Sequence, residues 1–161
     1  MPFNLGEILG DAANYTRALV NEPGNVITPE SLAEEARRLS REYGFECTVF
    51  DEEELEKNRM VGILTVGGGS KNPPRFIHIA YKPKKAKRRV VVIGKGVTFD
   101  SGGLNIKPEQ YMKTMKSDKA GACAVLGIMK AVGELRPDVE VHGLIPTVGI
   151  CPTGRPTGQT T

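Results

Sequence analysis

Val90-Val91-Val92-Ile93-Gly94-Lys95-Gly96-Val97-Thr98-Phe99-Asp100-Ser101-Gly102-Gly103-Leu104-Asn105-Ile106-Lys107 joins a short β-branched run to a glycine-rich segment. The run Val90–Ile93 reads as a strand, and its unbroken apolar character predicts burial on both faces. The glycine-rich segment reads as a loop holding two lysines and an aspartate among four glycines. In open α/β sheets, ligands sit outside the carboxyl ends of the strands, which is where such a loop would lie. Downstream, Ala120 to Leu135 is small and apolar and reads as a buried helix, weakened by Gly127 and Gly133. Val139 to Ile145 reads as a further strand. The order strand, helix, strand is the signature of parallel pairing in a layered sheet.

Upstream the same alternation holds. Leu5, Ile8, Leu9, Ala12, Ala13, Thr16, Leu19 and Val20 recur at helical spacing, and Pro23-Gly24 closes that segment. Thr28-Pro29 opens a second helix with a capping hydroxyl and a proline at the first helical position. Its apolar stripe is Leu32, Ala33, Ala36, Leu39 and Tyr43, and Gly44 ends it. Glu46 to Phe50 reads as a strand. Asp51 with Glu54 predicts a capping box for a short helix reaching about Arg59. Gly62 to Val66 and Arg75 to Tyr81 read as two more strands. The sum is a three-layer α/β/α sandwich around a mixed, partly parallel sheet.

Composition narrows the function classes. The 161 residues are 39% hydrophobic and 25% charged, which excludes a disordered chain. No apolar run approaches the roughly 20 residues that a membrane span needs, and the N-terminus lacks the pattern of a secretion signal. Cys47, Cys123 and Cys151 show no metal-knuckle or redox spacing, which fits a reducing cytoplasm. The net charge is +3, yet Lys82–Arg89 holds six basic residues in eight, so the remaining chain is net negative. No aromatic residue interleaves with that run. It therefore reads as a solvated connection between strands, and a nucleic-acid partner is not expected. Gly67-Gly68-Gly69-Ser70-Lys71 has neither phosphate-loop spacing nor a helix after it, because Pro73-Pro74 intervenes. It reads as a turn.

Of the 19 glycines, fifteen lie beyond residue 60. Whatever needs unusual backbone is therefore in the second part of the chain. Asp100 and Lys107 come after the strand, and Asp118 stands at the start of the next helix. Taken singly, Asp118 is an ordinary first-turn acid and Lys95 a solvated cation. Together, acids and amines around tight glycine turns suggest a cation site, because hard divalent metals prefer carboxylate oxygen.

The string Gly-Lys-Gly-x-Thr-Phe-Asp-Ser-Gly-Gly-x-x-x-Lys, with Asp118 eleven residues on in Met-Lys-Ser-Asp-Lys-Ala-Gly-Ala, resembles the leucyl (cytosol) aminopeptidase family. The segment Asn21-Glu22-Pro23-Gly24-Asn25-x-x-Thr28-Pro29 is also similar to that family, at the start of its catalytic domain. The resemblance covers about Ala12 to Gly154. It implies a metal-dependent hydrolase that releases N-terminal amino acids from peptides, with zinc or manganese as cofactor and a homo-oligomeric state. By resemblance, Lys95 and Asp118 would hold the tighter of two metal ions and Asp100 would bridge both. Lys107 would polarise the scissile carbonyl, and Met115 would line the pocket for the first side chain of the substrate.

The resemblance also marks elements that this sequence does not contain. Family members carry a later Asn-Thr-Asp-Ala-Glu-Gly-Arg segment that completes both metal sites, and an N-terminal domain ahead of the catalytic one. Residues 1–154 thus correspond to the first portion of a catalytic domain, and 155–161 depart from the pattern. With three protein ligands in place of five, the chain is expected to bind one metal ion weakly or none, and to hydrolyse peptides poorly. The alternative is a non-catalytic half-domain that self-associates or needs a partner chain to complete the site.

Overall fold

The computed structural model of the protein describes residues 2–151, with side chains from residue 4. The boundary expected near Gly154 and the divergent tail 155–161 lie outside the described residues. Two long helices, α1 (Pro2–Asn21) and α2 (Pro29–Tyr43), precede strand β1 (Glu46–Phe50). The short helices α3 (Glu52–Lys57) and α4 (Val61–Gly67) lead to β2 (Arg75–Tyr81), β3 (Arg89–Ile93) and β4 (Gly96–Asp100). Helix α5 (Glu109–Met112), a 3-10 turn (Met115–Lys119), helix α6 (Ala120–Leu135) and β5 (Glu140–Ile150) complete the order.

The local signals act as their chemistry requires. Thr28 and Ser31 exchange side-chain-to-backbone hydrogen bonds at the start of α2, and Gly44 ends it in the left-handed conformation at φ 72°. Asp51 and Glu54 form the capping box of α3. Each satisfies amides that have no partner inside the helix.

All five strands form one mixed sheet in the order β1-β2-β5-β3, with β4 also pairing β5. β1, β2 and β5 run antiparallel in turn, whereas β3 and β4 both run parallel to β5, against its first and second halves. Period-two alternation sorts the side chains. Ile77, Ile79 and Tyr81 of β2, with Val141 and Ile145 of β5, face α2 and α6 and join Leu32, Leu39, Leu126 and Met129 in the main core. Gly143 leaves room for α6 to sit on the sheet, since a Cβ there would stand 2.7 Å from a Val125 methyl. On the opposite face, α3 and α4 cover Phe76, Leu144 and Pro146. The result is three layers, α/β/α, as the sequence predicts.

Several sequence expectations need correction. Gly62–Val66 lies in helix α4, not a strand; five apolar residues are too few for periodicity to discriminate, and the uncovered sheet face selects a helical cover. Gly96–Asp100 is strand β4, not loop, because β5 extends to Ile150 and offers it a parallel partner. β5 accordingly outlasts the predicted end at Ile145. Val90–Ile93 is not buried on both faces: β3 is an edge strand, with Val90 and Val91 about half exposed and Ile93 at 71%. The basic run Lys82–Arg89 does join two strands, as expected; β2 and β3 pair with β5 rather than each other, so it is a crossing loop. Lys84, Lys85, Lys87 and Arg88 are exposed, as a solvated connection requires.

Candidate active site

The carboxyl end of β4 carries Asp100, and the chain must turn sharply to bring Lys107 back to it. Gly102 and Gly103 supply that turn at φ 90° and 68°, a region L side chains avoid. A Cβ on Gly102 would also meet the Asn105 carbonyl oxygen at 2.3 Å. The turn is tied down by hydrogen bonds from the Lys107 amide to the Ser101 carbonyl (2.9 Å) and from the Ser101 hydroxyl to the Ile150 carbonyl (2.7 Å).

Two lysine–aspartate pairs result. Lys107 Nζ donates to Asp100 Oδ2 at 2.7 Å and lies 3.0 Å from Met115 Sδ. Lys95 Nζ donates to Asp118 Oδ1 at 2.8 Å. Burial alone would raise the Asp100 carboxyl. The Lys107 ammonium and the Gly102 amide, both hydrogen-bonded to it, outweigh burial and, with the charge on Lys95, hold it below the usual aspartate range.

Asp118 Oδ2 is buried and has no hydrogen-bond partner. A carboxylate oxygen withdrawn from water without a donor is costly, and an exposed ion pair through its other oxygen offsets little of that cost. An electropositive group at Oδ2 would relieve it. Asp118, with Asp100, which feels the charge of the same Lys95, and a Lys95 nitrogen that can coordinate only after losing its proton, suits part of the coordination sphere of a divalent cation. Among the described residues, no three His, Cys, Asp or Glu side chains converge for metal binding, so the carboxylates here provide a share of a sphere rather than a full one.

Asp118 is not in the helix proper. It sits in the 3-10 turn before α6; that turn packs on β4, and the first turn of α6 is wedged against the β3–β4 junction. The wedge depends on Gly94 and Gly121: a Cβ on Gly94 would lie 2.3 Å from the Gly121 carbonyl oxygen, and one on Gly121 would lie 2.8 Å from the Lys95 amide nitrogen. The Ala122 amide donates to the Lys95 carbonyl at 2.9 Å across the same junction. Sequence reading missed these two glycines as site residues. Gly94 directly precedes Lys95 and Gly121 stands three residues after Asp118, but close approach of two backbones is visible only in three dimensions.

The structure thus brings Lys95 to Asp118, and Lys107 to Asp100 and Met115, with the Lys95 charge acting on Asp100 as well. The family model of the cytosol aminopeptidase catalytic domain matches residues 14–157. The chain belongs to the cytosol aminopeptidase family. A probable cytosol aminopeptidase of Persephonella marina is 62% identical over 151 residues, 94% of this chain and 30% of that protein. The corresponding protein of Aquifex aeolicus is 59% identical, over 93% of this chain and 31% of its own length. The chain therefore spans about 30% of these curated aminopeptidases. Among solved structures, the bottromycin maturation enzyme BotP in complex with Mn superposes with a TM-score of 0.88 at 35% identity, covering 94% of this chain and 33% of that one. The aminopeptidase relationship thus accounts for the mixed sheet with helices on both faces.

Proposed function

We propose that this chain provides the first part of a metallo-aminopeptidase centre that releases N-terminal residues from peptides in the cytoplasm. The observation that carries the reading is the buried, unpartnered Oδ2 of Asp118 beside Lys95, at the same end of the sheet as the Asp100–Lys107 pair. Lys95, Asp100 and Asp118 would hold a divalent cation, zinc or manganese. When bound, that cation would supply Lewis acidity toward the scissile peptide carbonyl. Lys107 would present a fixed ammonium to the carbonyl oxygen as negative charge develops there, a role suited to a cation already oriented by Asp100. Met115, next to Lys107, would border the pocket for the first side chain of the peptide.

Three donors do not complete two metal sites, so the chain alone is expected to take up at most one ion and to turn over slowly. Calorimetric titration with Mn2+, paired with a leucyl-anilide assay, tests this. Asp118→Asn should abolish uptake while leaving the melting temperature nearly unchanged, since the ion pair it removes is exposed on the Lys95 side and its loss is offset by withdrawing a buried, unpartnered carboxylate charge. Tight binding of two ions per chain, or uptake unaffected by Asp118→Asn, would overturn the assignment.

A second reading has its own support. The edge strand β3 exposes Val91 and Ile93 beside an apolar groove of about 530 Å³ between α4 and the sheet, lined by Met60, Ile63, Leu144 and Pro146. An unprotected apolar edge invites pairing with another chain. On this reading the polypeptide self-associates through β3 into a homo-oligomer, and its site is completed only with a partner. Sedimentation at rising concentration should show assembly that Ile93→Lys suppresses; a monomer at every concentration would sink it.

A further inference from the structure

Lys119 is the largest side chain with no exposed surface among the described residues. A lysine is almost never fully buried without compensation. Here the compensation is three backbone carbonyls: Nζ donates to Lys116 O at 2.6 Å, Glu22 O at 2.7 Å and Val20 O at 3.3 Å. Three acceptors match the three N–H bonds of an ammonium, whereas a free amine would leave one of them without a donor. Val20 and Glu22 flank the C-terminal end of α1, where helix carbonyls lack internal partners and the helix dipole favours positive charge. Lys116 Nζ donates to Asn21 O at 2.7 Å beside it. Two lysines from the site-bearing turn therefore cap α1 from outside the helix.

The geometry points to Lys119 as a positioning residue for the site, an internal monovalent cation that pins the Met115–Lys119 turn, and with it Asp118, to the end of α1. The turn is then held from two directions. On one side the Lys119 ammonium fastens it to α1; on the other the Ala122 amide, in the first turn of α6 that follows directly, fastens that helix start to the Lys95 carbonyl at the β3–β4 junction. Asp118 immediately precedes Lys119, with Oδ1 toward Lys95 and Oδ2 buried without a partner. The short 3-10 turn has few internal hydrogen bonds to hold its own shape, so an external tether decides where its carboxylate points. The consequence for metal uptake rests on the reading given under Proposed function; the tether itself does not.

Replacing Lys119 by alanine should leave a carbonyl-lined cavity that a small ammonium ion can enter. The test measures Mn2+ uptake by electron paramagnetic resonance in the wild-type chain and in Lys119→Ala, with and without methylammonium. Loss of an outer tether of a ligand typically weakens metal affinity by about 10- to 100-fold. A loss of that size is expected in Lys119→Ala, with recovery in methylammonium and none in choline, which is too large for the cavity. Unchanged affinity in the folded variant, or a loss that methylammonium does not reverse, would overturn the inference.

Two further measurements keep it decidable. If Lys119→Ala does not fold, the wild-type side-chain ammonium is observed directly by nitrogen-15 spectroscopy. A slowly exchanging Lys119 signal coupled to carbonyl carbons supports the tether, and exchange as fast as at Lys84 and Lys85 removes it. If the wild-type chain takes up no Mn2+, which the expectation of at most one ion includes, uptake does not report on the tether. Amide exchange at Ser117 and Ala122 then decides: protection lost in Lys119→Ala and restored by methylammonium upholds the tether, and protection unchanged by the substitution overturns it.

Discussion

Gly94 and Gly121 show how little separates an assembled candidate site from a blocked one at the scale of a residue. Neither has an unusual backbone angle; both are required because two chain segments touch. Gly94→Ala would drive its Cβ to 2.3 Å from a backbone carbonyl oxygen, which cannot rotate away. We expect a loss of about 1–3 kcal/mol in urea denaturation, the usual range for overpacking, together with weakened Mn2+ uptake, because the clash displaces Lys95 from Asp118. Alanine at the solvent-facing Gly6 or Gly10, where a Cβ meets nothing, serves as the control. The lysines make the complementary point. Lys95 and Lys107 are legible in the string that resembles the aminopeptidases, whereas Lys119, one residue beyond Asp118, reads as another surface charge until its burial is seen.

At the scale of an element, α6 contradicts its propensity in an instructive way. Gly127 weakens the helix when judged by propensity alone, and alanine there should stabilise an isolated helix by about 1 kcal/mol. In the fold, a Cβ at 127 would fall 2.1 Å from Thr16 Oγ1 and 3.0 Å from the Ala12 carbonyl oxygen of α1. Gly127→Ala is therefore expected to lower the melting temperature, with amide exchange in α1 rising first. An increase in melting temperature would show that α1 is free to shift. Gly133 plays the same part against the Tyr43 ring of α2.

The β2–β5 pair carries a pH-sensitive contact on the face away from the main core. His78 Nε2 and His142 Nδ1 lie 2.8 Å apart, and His142 Nε2 lies 2.7 Å from Glu140 Oε1. Arg89 also reaches Glu140, and Lys82 pairs with Glu46 on β1 nearby. Burial, then the His142 and Lys82 charges, depress His78 below the ordinary histidine value, against the opposing pull of Glu46. A base with a depressed pKa in the folded state binds fewer protons than in the unfolded chain. Its stabilising contribution is present above about pH 6.5 and is lost as the pH falls below that toward the folded value. Melting temperature should therefore drop on acidification from pH 7 to 5, and His78→Gln should flatten that portion of the profile. An identical profile in the variant would show that the histidine pair is not the source.

At the scale of the molecule, much of the chain's organisation was legible beforehand. Helices α1, α2 and α6, strands β1 and β2, the Thr28 cap and the Asp51–Glu54 capping box follow from hydrophobic spacing and side-chain-to-backbone chemistry, which are local properties. The three-layer α/β/α arrangement follows from their alternation. The candidate site residues Lys95, Asp100, Lys107, Met115 and Asp118 stand in a long and specific pattern of the sequence, and the fold pairs Lys95 with Asp118 and Lys107 with Asp100 and Met115. Local reading failed where a segment's neighbours determined its form. Gly62–Val66 became helix α4 because a sheet face needed cover; Gly96–Asp100 became strand β4 because β5 was long enough to receive it.

Amino-acid order thus determined which elements form, where they stop, and which charged groups stand near one another along the chain. Tertiary structure decided which strand lies at the edge, which glycines are required by contact, and how Asp118 is aimed. These last properties depend on distances between residues as far apart in sequence as Val20 and Lys119. Burial, close backbone approach and hydrogen bonding across such separations arise only when the layers are assembled, since each is a relation between surfaces that the unfolded chain does not bring together.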